Sequence, residues 1–199
     1  MKARTYTPAQ ASAVANLPLK AVHKLIDGRL IQPRRQHVGR SVQRFLSEDQ
    51  VVYLRLEAEG VRLLPLVARR ELAKAIEAHP RADRVTVTEG PALVVQVKAA
   101  RQGVARDALR LRKAEKMVVS DPEIMQGTPV YRGTRIPVEL IAEMLAQGAS
   151  AQEIVAGYPA LDAGKVELAP LYMRAFPRRG RPVQRPWAKS RAVARSIVL

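Results

Sequence analysis

The chain has 199 residues, of which 47% are apolar, and its formal net charge is +16. That length and apolar content favour one or two small folded domains over disorder, and the absence of cysteine excludes disulfides and thiolate zinc sites. His23, His37 and His79 are too scattered for a local ligand pair, no run approaches the ~18 apolar residues that span a bilayer, and the N-terminus lacks the apolar core of a signal peptide. The expectation is a cytoplasmic protein with no cofactor, no metal and no membrane segment.

The charge is unevenly spread. Residues 1–46 hold nine basic side chains and one acidic, and 171–199 hold eight basic and none acidic, whereas 118–170 are net acidic. Two basic poles around an acidic stretch point to a polyanion at each end rather than to a uniformly sticky surface.

In chain order, Thr7 as N-cap and Pro8 at the first helical position open a helix to about Ala15. Asn16-Leu17-Pro18 breaks it, and a second helix runs from Leu19 to Asp27, stopped by Gly28. At 100° per residue, Leu19, Ala21, Val22, Leu25 and Ile26 share a core face, while Lys20, His23, Lys24 and Asp27 gather opposite. Residues 33–46 then read as two strands about a turn at Gly39-Arg40, bringing Arg34, Arg35, His37 and Arg40 onto one basic ribbon. Ser47 and Gln50 form a capping box that launches a helix to about Glu59. Residues 5–59 resemble the winged helix-turn-helix of the MerR and excisionase group. The resemblance implies a recognition helix in the major groove, with Lys20, His23 and Lys24 facing base edges, Arg34, Arg35 and Arg40 on phosphates and His37 beside them. For any one of these residues the alternative is a solvated surface cation.

Residues 61–116 are expected to form a dimerisation region. A helix from Pro65 to Ala78 would set Leu66, Ala73 and Ile76 in the core. Arg84–Thr88, a turn at Glu89-Gly90-Pro91 and Ala92–Val97 read as a hairpin, followed by a helix from Lys98 to Lys116. An apolar two-stranded ribbon needs something to pack on, and a homodimer is the expectation.

The run Gly127-Thr128-Pro129-Val130-Tyr131-Arg132-Gly133-Thr134-Arg135-Ile136-Pro137, then Gly148-Ala149-Ser150-Ala151-Gln152-Glu153-Ile154, then Tyr158-Pro159-Ala160-Leu161, resembles the bacterial family catalogued as DUF433. The resemblance covers 117–176 and implies a VapB-like antitoxin with a PIN-type ribonuclease toxin as partner, within a higher toxin–antitoxin assembly. Helices are expected from Pro137 to about Gln147, after Ser150 with Glu153 in a capping box, and from Asp162 to about Phe176, with Glu139, Glu143 and Gln147 on an exposed stripe. Arg132 and Arg135 are candidates for gripping phosphate or a carboxylate, or for fixing the loop through carbonyls. Asp121 and Glu123 read as a turn start rather than as catalytic acids.

The tail, 177–199, is rich in arginine and proline, so it is expected to gain structure only on binding. Arg178, Arg179, Arg181 and Arg185 suit the carboxylate cluster that the resemblance implies in the toxin, with Trp187 as an apolar anchor. No nucleophile and base, metal cluster or phosphate loop is spaced for catalysis, so an enzyme is not expected. The fold class expected is mainly α with small β elements: a winged helix-turn-helix over 1–60, the middle region, a helix-turn-helix-like bundle and the basic tail. The expected function is neutralisation of the toxin and repression of its own operon by binding a double-stranded DNA operator. The alternative is a stand-alone DNA-binding regulator without a toxin.

Overall fold

The computed structural model describes residues 4–39, 41–88 and 92–177. The expectations for Arg40, for the turn at 89–91, and for Arg178, Arg179, Arg181, Arg185 and Trp187 lie outside the described residues.

Among the described residues the chain is mainly helical, with three two-stranded antiparallel sheets. Helix α1 (Pro8–Ala15) begins at Thr7, whose hydroxyl accepts from the Gln10 N–H at 3.3 Å while the Gln10 side chain accepts from the Thr7 N–H at 2.9 Å. This reciprocal cap satisfies two donors that the first turn leaves free. Helix α2 (Leu19–Asp27) follows the turn at Asn16–Pro18, and the ribbon β1 (Arg34–Val38) and β2 (Ser41–Phe45) pairs Arg34 with Phe45 and Arg35 with Arg44. The base of the ribbon is tied back before α1: Tyr6 and Leu46 exchange backbone hydrogen bonds of 2.9 and 2.8 Å. Helix α3 (Glu48–Glu59) has the same kind of cap from Ser47 and Gln50.

A short 3-10 turn leads to α4 (Leu66–Ala78), then β3 (Arg84–Val87), β4 (Leu93–Gln96) and the long α5 (Lys98–Met117). One expectation needs correction here. Leu66 is 47% exposed, and the inward stripe of α4 is instead Ala68, Leu72, Ala73 and Ile76. The helix starts only at Leu66, so the i, i+3, i+4 spacing that faces the core is set from Leu72 and Ile76, which leaves Leu66 on the rim. The β3–β4 ribbon also packs within its own chain: Val85 and Val87 are buried and β3 lies on α4. The homodimer expectation is left with the outer face of the ribbon, where Val94, paired with Thr86, is 52% exposed; Leu93, paired with the buried Val87, lies on the packed face.

The last part comprises β5 (Val118–Val119) paired with β6 (Val130–Tyr131), then α6 (Val138–Ala146), α7 (Ala151–Gly157) and α8 (Ala163–Ala175). Pro137 stands at the N-cap of α6 rather than inside it. Glu139 and Glu143 are half-buried and both engaged by other groups, so the acidic stripe is not the free surface the sequence implied.

One apolar cluster runs from Tyr6 to Ala175. Its centre is α1, whose Ala11 through Ala15 are all buried and which touches α2, α3, α5 and α8. A helix buried all round suits the interior, and its alanines let the neighbours approach.

Buried ion pairs join the helices around this centre. The Arg69 guanidinium of α4 donates twice to the Glu57 carboxylate of α3, at 2.8 and 2.9 Å, and the Tyr53 hydroxyl donates to the same carboxylate. Burial, aided by Glu57, pushes the Tyr53 hydroxyl well above its ordinary pKa, so it stays a donor. Arg69→Ala would leave the Glu57 charge buried beside a single hydroxyl, and a loss of about 3–5 kcal/mol in urea unfolding is expected. The exposed Arg44–Asp27 pair, at 3.0 Å, should cost less than about 1 kcal/mol when broken by Arg44→Ala. Equal losses for the two variants would contradict this account of the core.

Candidate nucleic-acid interface

Helix α2 sorts its side chains by chemistry. Val22 and Ile26 are buried, Leu19, Ala21 and Leu25 are half-buried, and Lys20, His23, Lys24 and Asp27 face solvent. Among the described residues no side chain of Lys20, His23 or Lys24 forms a hydrogen bond or ion pair, so their donors are available to a ligand. The tilt of α2 is set by the turn before it: Asn16 adopts the left-handed region (φ 54°), the Ser12 hydroxyl donates to the Leu17 carbonyl at 2.6 Å, and Arg174 of α8 donates to the Asn16 side chain at 2.9 Å.

The far end of α2 stops at Gly28, as the sequence implies. Gly28 has an ordinary right-handed backbone (φ −74°), and the left-handed residue is Arg29 (φ 57°). Glycine is still favoured at 28, because a Cβ there would stand 3.0 Å from the Lys24 carbonyl oxygen. Arg29 thereby joins a cleft of about 490 Å³ between α2 and the first ribbon, whose lining includes Ile26, Asp27, Arg35 and Arg44. The Asp27–Arg44 pair pins the ribbon to α2 across it.

Strand alternation divides the ribbon's cations. Arg35 and His37 lie on the face shared with Arg44, toward α2, while Arg34 and Gln36 lie on the other face with Phe45. Arg34 and Arg35, grouped on one ribbon by the sequence, therefore face opposite sides of it. Arg34 lines a second, larger cleft of about 1160 Å³ between the ribbon, the start of α3 and α5, together with Arg4, Arg81 and Arg101. Sequence reasoning missed Arg29, Arg44 and Arg81. The signal for Arg44 was available, since the register that pairs it with Arg35 follows from a turn at 39–40.

The loop carrying Arg132 and Arg135 is built from its own polar groups. Asp121 caps the preceding turn, its carboxylate accepting from the Glu123 N–H at 3.0 Å and its carbonyl from Ile124 and Gly127. Met125, Gln126 and Gly127 are consecutive left-handed residues (φ 48°, 56° and 77°) that reverse the chain toward β6. The Thr134 hydroxyl donates to the Tyr131 carbonyl at 2.8 Å and accepts from the Ile136 N–H at 3.1 Å. Arg132 bonds the end of α5, its N–H to the Met117 carbonyl at 2.8 Å and its Nε to the Lys116 carbonyl at 3.2 Å. Arg135 is exposed and has no hydrogen bond or ion pair among the described residues. Beneath the loop the Tyr131 hydroxyl donates to the Lys165 carbonyl at 3.2 Å, and burial raises its pKa. Asp162 caps α8 by accepting from the Lys165 N–H at 2.9 Å, which holds its carboxyl below the usual range.

Among the described residues no group of three or more His, Asp or Glu side chains is placed to hold a metal ion, and no helix is long and apolar enough to cross a membrane.

Residues 118–173 match the family model described as "Protein of unknown function (DUF433)". An uncharacterized protein of Sinorhizobium fredii, y4eO, is 46% identical over 71 residues, which make up 36% of this chain and 32% of that one. The match thus spans about a third of the relative's length. The family match takes in β5, the Thr134 loop and helices α6 and α7, and ends within α8, leaving α1, α2 and the first ribbon outside it.

The different bonding of the two loop arginines has a measurable consequence. Arg132→Ala should lower unfolding free energy by about 0.5–1.5 kcal/mol, the usual net worth of a hydrogen bond. Arg135→Ala should stay within about 0.5 kcal/mol of the parent, as surface substitutions do. Denaturant titration of both variants checks this, and a larger loss for Arg135→Ala would refute it.

Proposed function

We propose that the protein is a cytoplasmic DNA-binding antitoxin of a type II toxin–antitoxin pair, which represses its own operon through a winged helix-turn-helix and neutralises a PIN-type ribonuclease. The observation that carries the DNA half is the partition of α2, with Lys20, His23 and Lys24 unpaired in solvent and Val22 and Ile26 anchored beneath them. Such a helix, beside a basic ribbon, suits insertion in the major groove with the ribbon on the flanking backbone. In this reading Arg35 and His37, with Arg44 and Arg29, approach phosphates next to α2. Arg34 touches the backbone on the ribbon's far side.

The toxin half rests on the resemblance of 117–176 to VapB-like antitoxins and on the acid-free cationic tail. A guanidinium from Arg178, Arg179, Arg181 or Arg185 would pair with the metal-binding carboxylates of the nuclease, and Trp187 would fill an apolar pocket. Arg135, exposed and unpaired, is an additional candidate contact. A homodimer through the outer side of β4 would place two copies of α2 on two half-sites about one helical turn apart. A stand-alone regulator is the second reading, supported by the exposed Lys20, His23 and Lys24, which lie outside both the tail and the residues that match the family model.

Binding to a DNA fragment carrying the gene's own promoter, measured over a salt series, tests the first half. Arg35→Ala should lower the magnitude of the log K against log salt slope by about 0.9, and Lys24→Ala should erase the preference for that promoter over unrelated DNA. Parent-like behaviour of both variants would overturn the assignment. For the second half, a chain ending at Phe176 should fail to inhibit the nuclease encoded beside the gene. Full inhibition by that chain would remove the tail from the mechanism.

A further inference from the structure

The acidic side chains near α5 are turned inward. Asp107 of α5 is bound to Arg55 of α3, Asp49 of α3 to Arg101 of α5 at 2.6 Å, and Glu115 of α5 to Arg4 at 2.8 Å. All three pairs are largely shielded from solvent, and Arg101 also donates to the carbonyls of Ile76 and His79. Each acid thus offsets a cation of the interior and contributes little to the outer field.

The outward face of α5 is left cationic. At 100° per residue Gln102, Leu109, Arg112, Lys113 and Lys116 share one side, opposite the buried Val104, Ala108 and Leu111. Arg112, Lys113 and Lys116 are exposed and form no hydrogen bond or ion pair through their side chains among the described residues. This face opens at its N-terminal end into the cleft of about 1160 Å³ behind the ribbon, where Arg34 and Arg81 are likewise exposed and unpaired. Glu48, at the first turn of α3, is the exposed acid in that cleft.

We infer that the cleft behind the ribbon and the outward face of α5 form a second track for the phosphate backbone of double-stranded DNA, extending the footprint beyond the half-site read by α2. The inference rests on the DNA-binding reading above. Strand alternation supplies the link, because Arg34 points away from α2 and into the track, so a duplex held by Arg35 on one side of the ribbon continues past Arg34 on the other. From Gln102 to Lys116 the face is roughly 21 Å long, over which a duplex presents on the order of 12 phosphate charges. Leu109, 57% exposed at the middle of the face, is flanked by cations on both sides.

The test uses the intact protein and a duplex of mixed sequence about 30 base pairs long, an order of length that covers more than one half-site. The triple variant Arg112→Ala, Lys113→Ala, Lys116→Ala should lower the magnitude of the salt slope by about 2 to 3. Its thermal unfolding should match the parent's, since the three side chains hold nothing together. Lys74→Ala, which removes an exposed cation on α4 away from the track, should leave the slope unchanged. A parent-like slope in the triple variant, with Arg35→Ala still lowering it, would overturn the track and leave the DNA reading standing. A slope that falls as much with Lys74→Ala as with each track cation would show uniform stickiness and overturn it too. Failure of the parent to bind the duplex at all would overturn both readings.

Discussion

The burial of α1 is the constraint on which the remaining geometry depends. Its eight residues include four alanines and a serine, and Ala11–Ala15 are closed off from solvent. Small side chains let α2 and α3 approach from within the N-terminal part while α5 and α8 approach from the chain's second half. The turn that aims α2 is then fixed from both directions, by Ser12 of α1 bonding the Leu17 carbonyl and by Arg174 of α8 holding Asn16. The orientation of Lys20, His23 and Lys24 is thus a property of the packed whole rather than of the first 60 residues alone.

The same packing organises the electrostatics. Arg55, Arg69 and Arg101 lie inside, each with a carboxylate, because an unpaired charge in the interior would cost several kcal/mol. The Nε atoms of Arg55 and Arg101 are buried without a partner, so these pairs fix how α3 and α5 meet more than they add to stability. Drawing the acids inward leaves an excess of cations on the surface, concentrated on α2, the first ribbon and α5. In the proposed reading, a field of that shape would steer a polyanion before any specific contact forms.

Local chemistry was legible in the sequence and long-range placement was not. Thr7 with Gln10, Ser47 with Gln50 and Ser150 with Glu153 are reciprocal caps written within four residues, and each helix starts where its cap stands. The two ribbons and the polar face of α2 follow from period and turn chemistry in the same way. What the sequence hid depends on partners far along the chain. Leu66 matches the helical stripe by spacing yet stays 47% exposed, Arg34 and Arg35 are adjacent in sequence and opposite in space, and nothing near Asn16 announces Arg174. Gly28 stops α2 as its sequence position implies, but by clearance from the Lys24 carbonyl, while the left-handed conformation falls on Arg29.

This geometry ties the α2 face, through α8, to residues 118–173, which match the DUF433 family model. A partner that gripped α6 to α8 would act on α8, and α8 holds the turn before α2, so partner capture and DNA affinity would be linked through one packed body. The claim that the two halves fold as one is tested most directly by comparing urea unfolding of the intact protein with that of a chain ending at Met117, followed by circular dichroism. The account predicts one cooperative transition for the intact protein and none for the shortened chain, whose α1 would expose the side that α8 covers. A shortened chain that unfolds cooperatively at the same urea concentration as the intact protein would contradict it.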